Sequence, residues 1–296
     1  ADDQMFLEAL KEAVSKAGVD VLGSMGGPID ARKALEKAAG LTEVPTAIVC
    51  SRSASDWILL KEKGSIFPGL AKVPLITPEE GVWPAFLTRA NLLNIANQIA
   101  VISIISIGMT VVVAIGGIDL SVGSLVALSG VLAADFIRHN GGTGAAFAVV
   151  TTGCLLGILA ATAAGVFSGA VISGLGVPPF LATLATMLVV RGTTLEWTGG
   201  ESIAALPDGF VWLGRGNIGP IPVAMALMVI LYGVFHIMMT RSVVGRYWLA
   251  IGGNPVVARL AGIPVNATVI AAYAVSGALA GLGGILLTSQ LRNASP

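Results

Sequence analysis

The chain has 296 residues, of which 55% are hydrophobic and 11% charged, and its Lys/Arg and Asp/Glu balance to zero net charge. That composition excludes an ordinary soluble domain, and without a basic excess there is no electrostatic footing for nucleic acid. Ten of the 17 Lys/Arg and 12 of the 17 Asp/Glu fall within residues 1–90, so two parts with different solvents are expected: a small α/β segment over 1–80 and a mostly α, polytopic transmembrane bundle over 86–296.

In the first part, Phe6, Leu10, Ala13, Val14 and Ala17 share one helical face and Gly18 follows as a stop. Val19 to Leu22 reads as a strand. The glycines of Gly23-Ser24-Met25-Gly26-Gly27 lack GxGxxG spacing and are expected to make a turn and no nucleotide site. A second helix is expected from Asp30 to Ala39, closed by Gly40, and a strand over Pro45 to Cys50. A third short helix capped by Ser55 or Asp56 should end by Gly64, with a last strand over Val73 to Thr77. This αβαβαβ order predicts parallel pairing.

From Arg89 to Asp119 there are 29 consecutive uncharged residues, with further runs of 52 between Arg138 and Arg191, 25 between Arg215 and Arg241 and 32 between Arg259 and Arg292. About 20 suffice to cross the hydrocarbon layer. Six spans are expected, over 92–114, 120–137, 145–170, 178–195, 219–239 and 268–289. The 240–266 loop carries Arg241, Arg246 and Arg259 without an acid, which places it inside; the 196–218 loop, with Glu196, Glu201 and Asp208 against Arg215, suits the outside. Alternation then puts the first part of the chain outside. Trp83, Trp197 and Trp212 fall at the outer boundaries and His236 near the inner one, Asp135 is spaced to pair with Arg138, and Arg191 and Glu196 bracket one span end.

Gly153/Gly157, Gly165/Gly169 and Gly277/Gly281 have the small-xxx-small spacing of close helix packing in lipid. Glycine and proline also interrupt the apolar runs at Gly116-Gly117, Gly174 to Pro179 and Gly199-Gly200, and broken backbone at membrane depth survives only inside protein or along a wet cavity. Asp119 stands at the first break. It reads either as the N-cap of a helix from Leu120, accepting from the Ser121 or Val122 amide, or as one wall of a polar cavity; the two are compatible. Asn94, Gln98, Ser103, Ser106 and Thr110 give the first span a polar stripe that serves either helix packing or a sugar-facing wall.

Gly116 to Ser124 resembles the signature of permease subunits of ABC importers for monosaccharides of the ribose, xylose and arabinose type. Phe86-Leu87-Thr88, Asn91 to Ile95 and Gly108-Met109-Thr110 precede it as in that family. Val177 to Leu184, Arg191-Gly192, Thr198 to Gly200, Gly245 to Tyr247, Ala250 to Asn254, Ala258 to Ile263 and Ser276 to Gly281 follow in the family's order, so the resemblance covers 86–291. Residues 1–75 are similar to part of the first lobe of type I periplasmic sugar-binding proteins, through the order of a helix, the Gly18 to Leu22 strand and the Ala47-Ile48-Val49 strand.

The resemblance implies a homodimeric or pseudo-dimeric pore in a bacterial inner membrane, a separately encoded ATP-binding subunit and a periplasmic sugar-binding protein, with membrane lipid around the bundle. Asn94, Gln98, Gly116, Gly117, Asp119, Ser121, Pro178, Pro179 and Thr183 become the expected substrate path. Arg246, Asn254, Arg259 and Gly262, around a short helical stretch from Pro255 to Ala261, become the expected coupling loop for the ATPase. The family begins with a transmembrane helix ahead of Phe86-Leu87-Thr88 and continues past Gln290, so the permease part is expected to be incomplete at its C-terminal end.

No catalytic residue, metal site or cofactor is nominated. Cys50 and Cys154 lack metal or redox spacing, and no GxxxxGK[ST] loop occurs, so ATP hydrolysis is left to a partner. An ion-coupled carrier would be expected to bury several ionisable groups, and Asp119 is the one placed centrally. A membrane-anchored enzyme would draw on Asp20, Asp30, Ser51 and Asp56, among which no nucleophile–base pair is evident.

Overall fold

The computed structural model describes Leu10, Val21 and residues 28–40, 45–77 and 85–296. Two compact units, Ala1–Pro84 and Ala85–Pro296, divide the chain. The expected first helix and the Val19 to Leu22 strand lie outside the described residues apart from Leu10 and Val21, as do the Gly23 to Gly27 turn and Trp83.

In the first unit, α1 (Pro28–Ala39) carries Asp30 in its first turn and Lys37 in its last, which complements the helix dipole. Strands β1 (Ile48–Val49) and β2 (Leu75–Ile76) pair in parallel, Ile48 opposite Leu75, as the αβ alternation predicts. Between them the expected single helix is three one-turn pieces, α2 (Arg52–Ser55), α3 (Ile58–Lys61) and α4 (Lys63–Ile66). Ser51, and neither Ser55 nor Asp56, is the cap: it follows the strand directly in extended conformation, and its Oγ accepts from the Ala54 amide at 3.3 Å. Trp57 returns to extended backbone and splits the helix there. Leu35, Cys50, Ala54, Leu60, Phe67, Leu70 and Val73 form the core. Burial pushes the Cys50 thiol pKa up, so it sits there as a small apolar residue.

The second unit contains α5 (Arg89–Ala114), α6 (Val122–His139), α7 (Phe147–Leu175), α8 (Pro179–Thr198), α9 (Asp208–Arg215), the hairpin β3 (Asn217–Ile218) and β4 (Ile221–Pro222), α10 (Val223–Arg241), α11 (Val243–Gly253), α12 (Pro255–Leu260) and α13 (Val265–Leu291). Five of these, α5, α6, α7, α10 and α13, are long and apolar enough to cross a membrane. The sixth expected span is present as a 20-residue helix, α8, but Arg191 and Glu196 make it less apolar than the others.

Helix α13 is the axis of this unit, packed against α5, α6 and α7 and touched by α9 and α11. Glycine makes that packing close. A Cβ on Gly165 would strike the Tyr273 carbonyl oxygen, one on Gly277 the Ala161 carbonyl, and one on Gly157 the Ser129 carbonyl. Lipid offers no hydrophobic drive for helix association, so such contact supplies the attraction through dispersion. The three glycine pairs thus act in packing. Polar bonds add direction: Ser129 Oγ donates to the Gly281 carbonyl at 2.9 Å, and Ser168 and Thr186 hydroxyls meet at 2.8 Å between α7 and α8. At the α6 end, Asp135 accepts from Arg138 at 2.8 Å, the expected pair, and from the Trp197 indole at 3.2 Å.

Candidate functional site

Helix α5 stops at Ala114 because Gly116 turns the chain with φ +76°, a conformation open to glycine at little cost. Residues 117–121 then run without helix back into the bundle, and Gly117 lies where a Cβ would meet the Tyr273 hydroxyl at 2.6 Å. Asp119 is 3% exposed. Its Oδ1 accepts from the Ser121 amide at 3.0 Å and the Ser121 hydroxyl at 2.6 Å, and its Oδ2 accepts from the Ser276 hydroxyl at 2.8 Å. The Tyr273 hydroxyl donates to the Ile118 carbonyl at 3.3 Å. Thr183 Oγ1 lies 3.3 Å from the same carbonyl, its nearer acceptor being Pro179 O at 2.9 Å.

Ser276 stands near the middle of α13, so this interruption lies at the depth of a helix centre, where every polar group needs a partner. Among the described residues, the Asp119 side chain is satisfied by hydroxyls and an amide and meets no cationic side chain. Its bond to the Ser121 amide closes an i→i+2 Asx turn, which holds the chain out of helix, so α6 starts at Val122 and not at Leu120.

Of the expected path residues, Asp119, Ser121 and Thr183 therefore converge with the backbone of Gly117 on one cluster, into which Gly116 turns the chain. Pro178 and Pro179 open α8, Pro179 at the first helical position. Asn94 and Gln98 do not join them. They sit toward the far end of α5, with Gln98 about 24 Å along the axis from Ala114 at the helical rise. Asn94, Gln98, Ser106 and Thr110 are exposed at helical spacing, on a face of α5 turned away from its own bundle, while Ser103 is half-buried. The Ser106 and Thr110 hydroxyls return to the carbonyls four residues back at 2.8 Å each.

Tyr273 and Ser276 complete the Asp119 cluster; Ser276 opens one stretch of the family resemblance, but nothing in the sequence marks either hydroxyl as belonging with Asp119. A second network is equally hidden. Helix α9 buries Phe210 and Val211, and Ser289 Oγ donates toward their carbonyls at 2.7 and 3.0 Å while accepting from the Gly214 amide at 2.7 Å. Asn97 donates to Gly214 O at 3.2 Å, Gln290 to Asn97 O at 3.1 Å and Arg215 to Gln290 O at 2.6 Å. Ser289→Ala leaves the Gly214 amide without its acceptor, and the expected cost is about 1–3 kcal/mol. Faster hydrogen exchange confined to 208–216 checks it; unchanged exchange there contradicts the assignment.

In the 243–263 loop, α11 is capped by Ser242, whose Oγ accepts from the Gly245 amide at 3.1 Å. Asn254 Oδ1 caps α12, accepting from the Val256 and Val257 amides at 2.9 and 3.1 Å, which places the expected short helix at Pro255–Leu260. Gly262 turns the chain out of it with φ +83°. Arg246 and Arg259 are exposed, Arg259 reaching Asn266 at 3.5 Å, and Leu260 is 84% exposed. Asn254→Ala is expected to cost about 1 kcal/mol of helix stability, read as faster exchange of the α12 amides.

A sequence family described as branched-chain amino acid transport system / permease component matches residues 91–296, the whole of α6 to α13 and nearly all of α5. The chain belongs to this permease family. It is similar to the ribose import permease of Haemophilus influenzae, 37% identical over 231 residues, which are 77% of this chain and 69% of that protein. The ribose import permease of Bacillus subtilis is 39% identical over 215 residues, 72% of this chain and 65% of its own. The D-allose transport system permease of Escherichia coli is 34% identical over 213 residues, 71% and 63%. This permease thus spans about two thirds of the length of the curated relatives it matches. No solved structure matches it significantly.

Proposed function

We propose that this chain is a membrane-spanning permease subunit of an ATP-driven importer that carries a monosaccharide across the bacterial inner membrane. The identity to ribose and allose permeases over 71–77% of the chain carries this reading. A separately encoded ATP-binding subunit docks on the loop holding Arg246, Asn254, Arg259 and Gly262, a periplasmic sugar-binding protein delivers from the opposite face, and the 1–80 segment lies outside. A second permease subunit, a copy of this one, faces the Asn94, Gln98, Ser106 and Thr110 stripe. Between two such stripes lies the path, because the exposed Asn94 and Gln98 amides are stable at membrane depth only against protein or water.

Mechanically, closure of the ATP-binding subunits displaces the loop and rocks α5 and α8 about the Asp119 cluster. No bond in the sugar changes, so the protein's task is positioning alone. An ion-coupled carrier would have Asp119 as its one central carboxylate, already engaged by three donors.

Uptake of radiolabelled ribose, L-arabinose, D-allose and leucine by cells carrying the intact importer tests the reading. One of the sugars is expected to enter, and to stop entering on ATP depletion while tolerating collapse of the proton gradient. Leucine uptake alone, or uptake that follows the proton gradient, overturns it. Asn94→Leu with Gln98→Leu is expected to cut sugar uptake about tenfold by removing hydroxyl partners worth one to two hydrogen bonds; unaffected uptake removes the stripe from the path.

A further inference from the structure

The geometry points to Gly252 as a positioning residue through which the 243–263 loop moves the Asp119 interruption, an inference that rests on the importer reading. Gly252 is the next-to-last residue of α11. A Cβ there would collide with the Ala114 carbonyl oxygen, lie 3.0 Å from the Ala114 carbonyl carbon and lie 3.4 Å from Ile115 Cα. Ala114 is the last residue of α5, so α11 butts against the end of α5 backbone to backbone. Its neighbour Gly253 has nothing within 4 Å of its Cβ position.

Side chains hold the abutment on both sides. Trp248, 1% exposed, packs with Val111 and Ala272 and donates to the Thr268 carbonyl at 3.2 Å, while Ile251 packs with Ala258 and Val265. Ile115 is shared by both clusters. Val256, Val257 and Leu260 are exposed on the same loop, so one side of it is open to a partner while the other is locked onto α5 and α13. Backbone contact has no rotamer to absorb motion, so displacement of α11 passes to Ala114 and Ile115 rather than into side-chain rearrangement. Four residues further stands Asp119, bonded to Ser276 on α13. The segment between is short and turns at Gly116, which makes it the part that bends.

The test compares Gly252→Ala with Gly253→Ala in proteoliposomes holding the permease, its ATP-binding subunit and its binding protein, with ribose, L-arabinose and D-allose as the sugars. Both substitutions add the same methyl to the same helix end. Gly252→Ala is expected to keep the ATP-binding subunit bound and ATP hydrolysed while sugar moved per ATP falls about tenfold, the size of an overpacking penalty at one backbone contact; Gly253→Ala is expected to leave that ratio unchanged. An unchanged ratio in Gly252→Ala, or an equal fall in both, overturns the inference and leaves the importer reading standing. Should Gly252→Ala fail to assemble, Ile115→Ala, which removes volume from the same junction, decides by the same ratio. An unmodified permease that binds no ATP-binding subunit overturns the importer reading and this inference together.

Discussion

Asp119→Ala is expected to lower the stability of the detergent-solubilised protein by about 1–3 kcal/mol and to cut transport about tenfold, whereas Asp119→Asn is expected to keep most of both. Two effects oppose each other. Burying a carboxylate without a cation is costly, so its removal returns some free energy. Against that stand three donors that lose their acceptor. The Ser276 hydroxyl recovers by turning to a carbonyl of its own helix, as Ser106, Thr110 and Thr162 already do. The Ser121 amide cannot turn, and an amide left alone at that depth, together with the vacated volume, outweighs the relief of the charge. Asparagine keeps an oxygen for Ser121 and offers its amide to Ser276, whose hydroxyl also accepts.

The same pair of variants separates two mechanisms. A proton-coupled carrier that used Asp119 would lose transport in Asp119→Asn while remaining folded. Thermal melting and sugar uptake measured on both variants therefore decide between a carboxylate that shapes the interruption and one that carries a proton. Transport lost in Asp119→Asn at undiminished melting temperature would falsify the shaping role.

Much of this arrangement is readable from the residues alone, and the failures have particular causes. Long uncharged runs give the spans because charge at membrane depth is costly, and Asn254-Pro255 gives α12 because a cap and a first-turn proline act locally. The first residue of α6 is misplaced by two positions because an Asx turn and a helix cap use the same carboxylate, and the spacing of the bond alone distinguishes them. Helix α9 goes unseen because eight residues are too few for a hydropathy signal, and its burial depends on Ser289 and Gln290, 75 or more residues away. Ser276 is missed for a related reason: on α13 a single Ser hydroxyl most often bonds its own helix, and only the returning 117–121 segment gives it, and the Tyr273 phenol, a partner elsewhere. Asn94 and Gln98 share the expected path with Asp119, but the rise of α5 keeps them apart.

Gly165→Val on α7 is the second large effect expected. Its first added atom would overlap the Tyr273 carbonyl oxygen and approach Gly277 Cα to 3.3 Å, and neither neighbour is a flexible side chain. Helices α7 and α13 must separate, forfeiting contact along Gly165, Gly169, Gly277 and Gly281 together, since rigid rods part over their whole crossing. Valine restores about 0.5 kcal/mol of helix propensity over glycine, while overpacking costs about 1–3 kcal/mol, so destabilisation wins. Gly233→Val on α10 gains the same propensity with nothing within 4 Å of its Cβ position and is expected to be neutral or slightly stabilising. Melting of the two variants in one detergent gives the comparison; equal melting temperatures would mean that the crossing adjusts without loss. Because the displaced carbonyl belongs to Tyr273, whose hydroxyl holds Ile118, Gly165→Val should also depress uptake beyond its loss of folded protein. Gly281→Val, which meets Ile158 Cα and Ala161 Cβ at 3.0 Å, should likewise part α7 from α13 and lower the melting temperature.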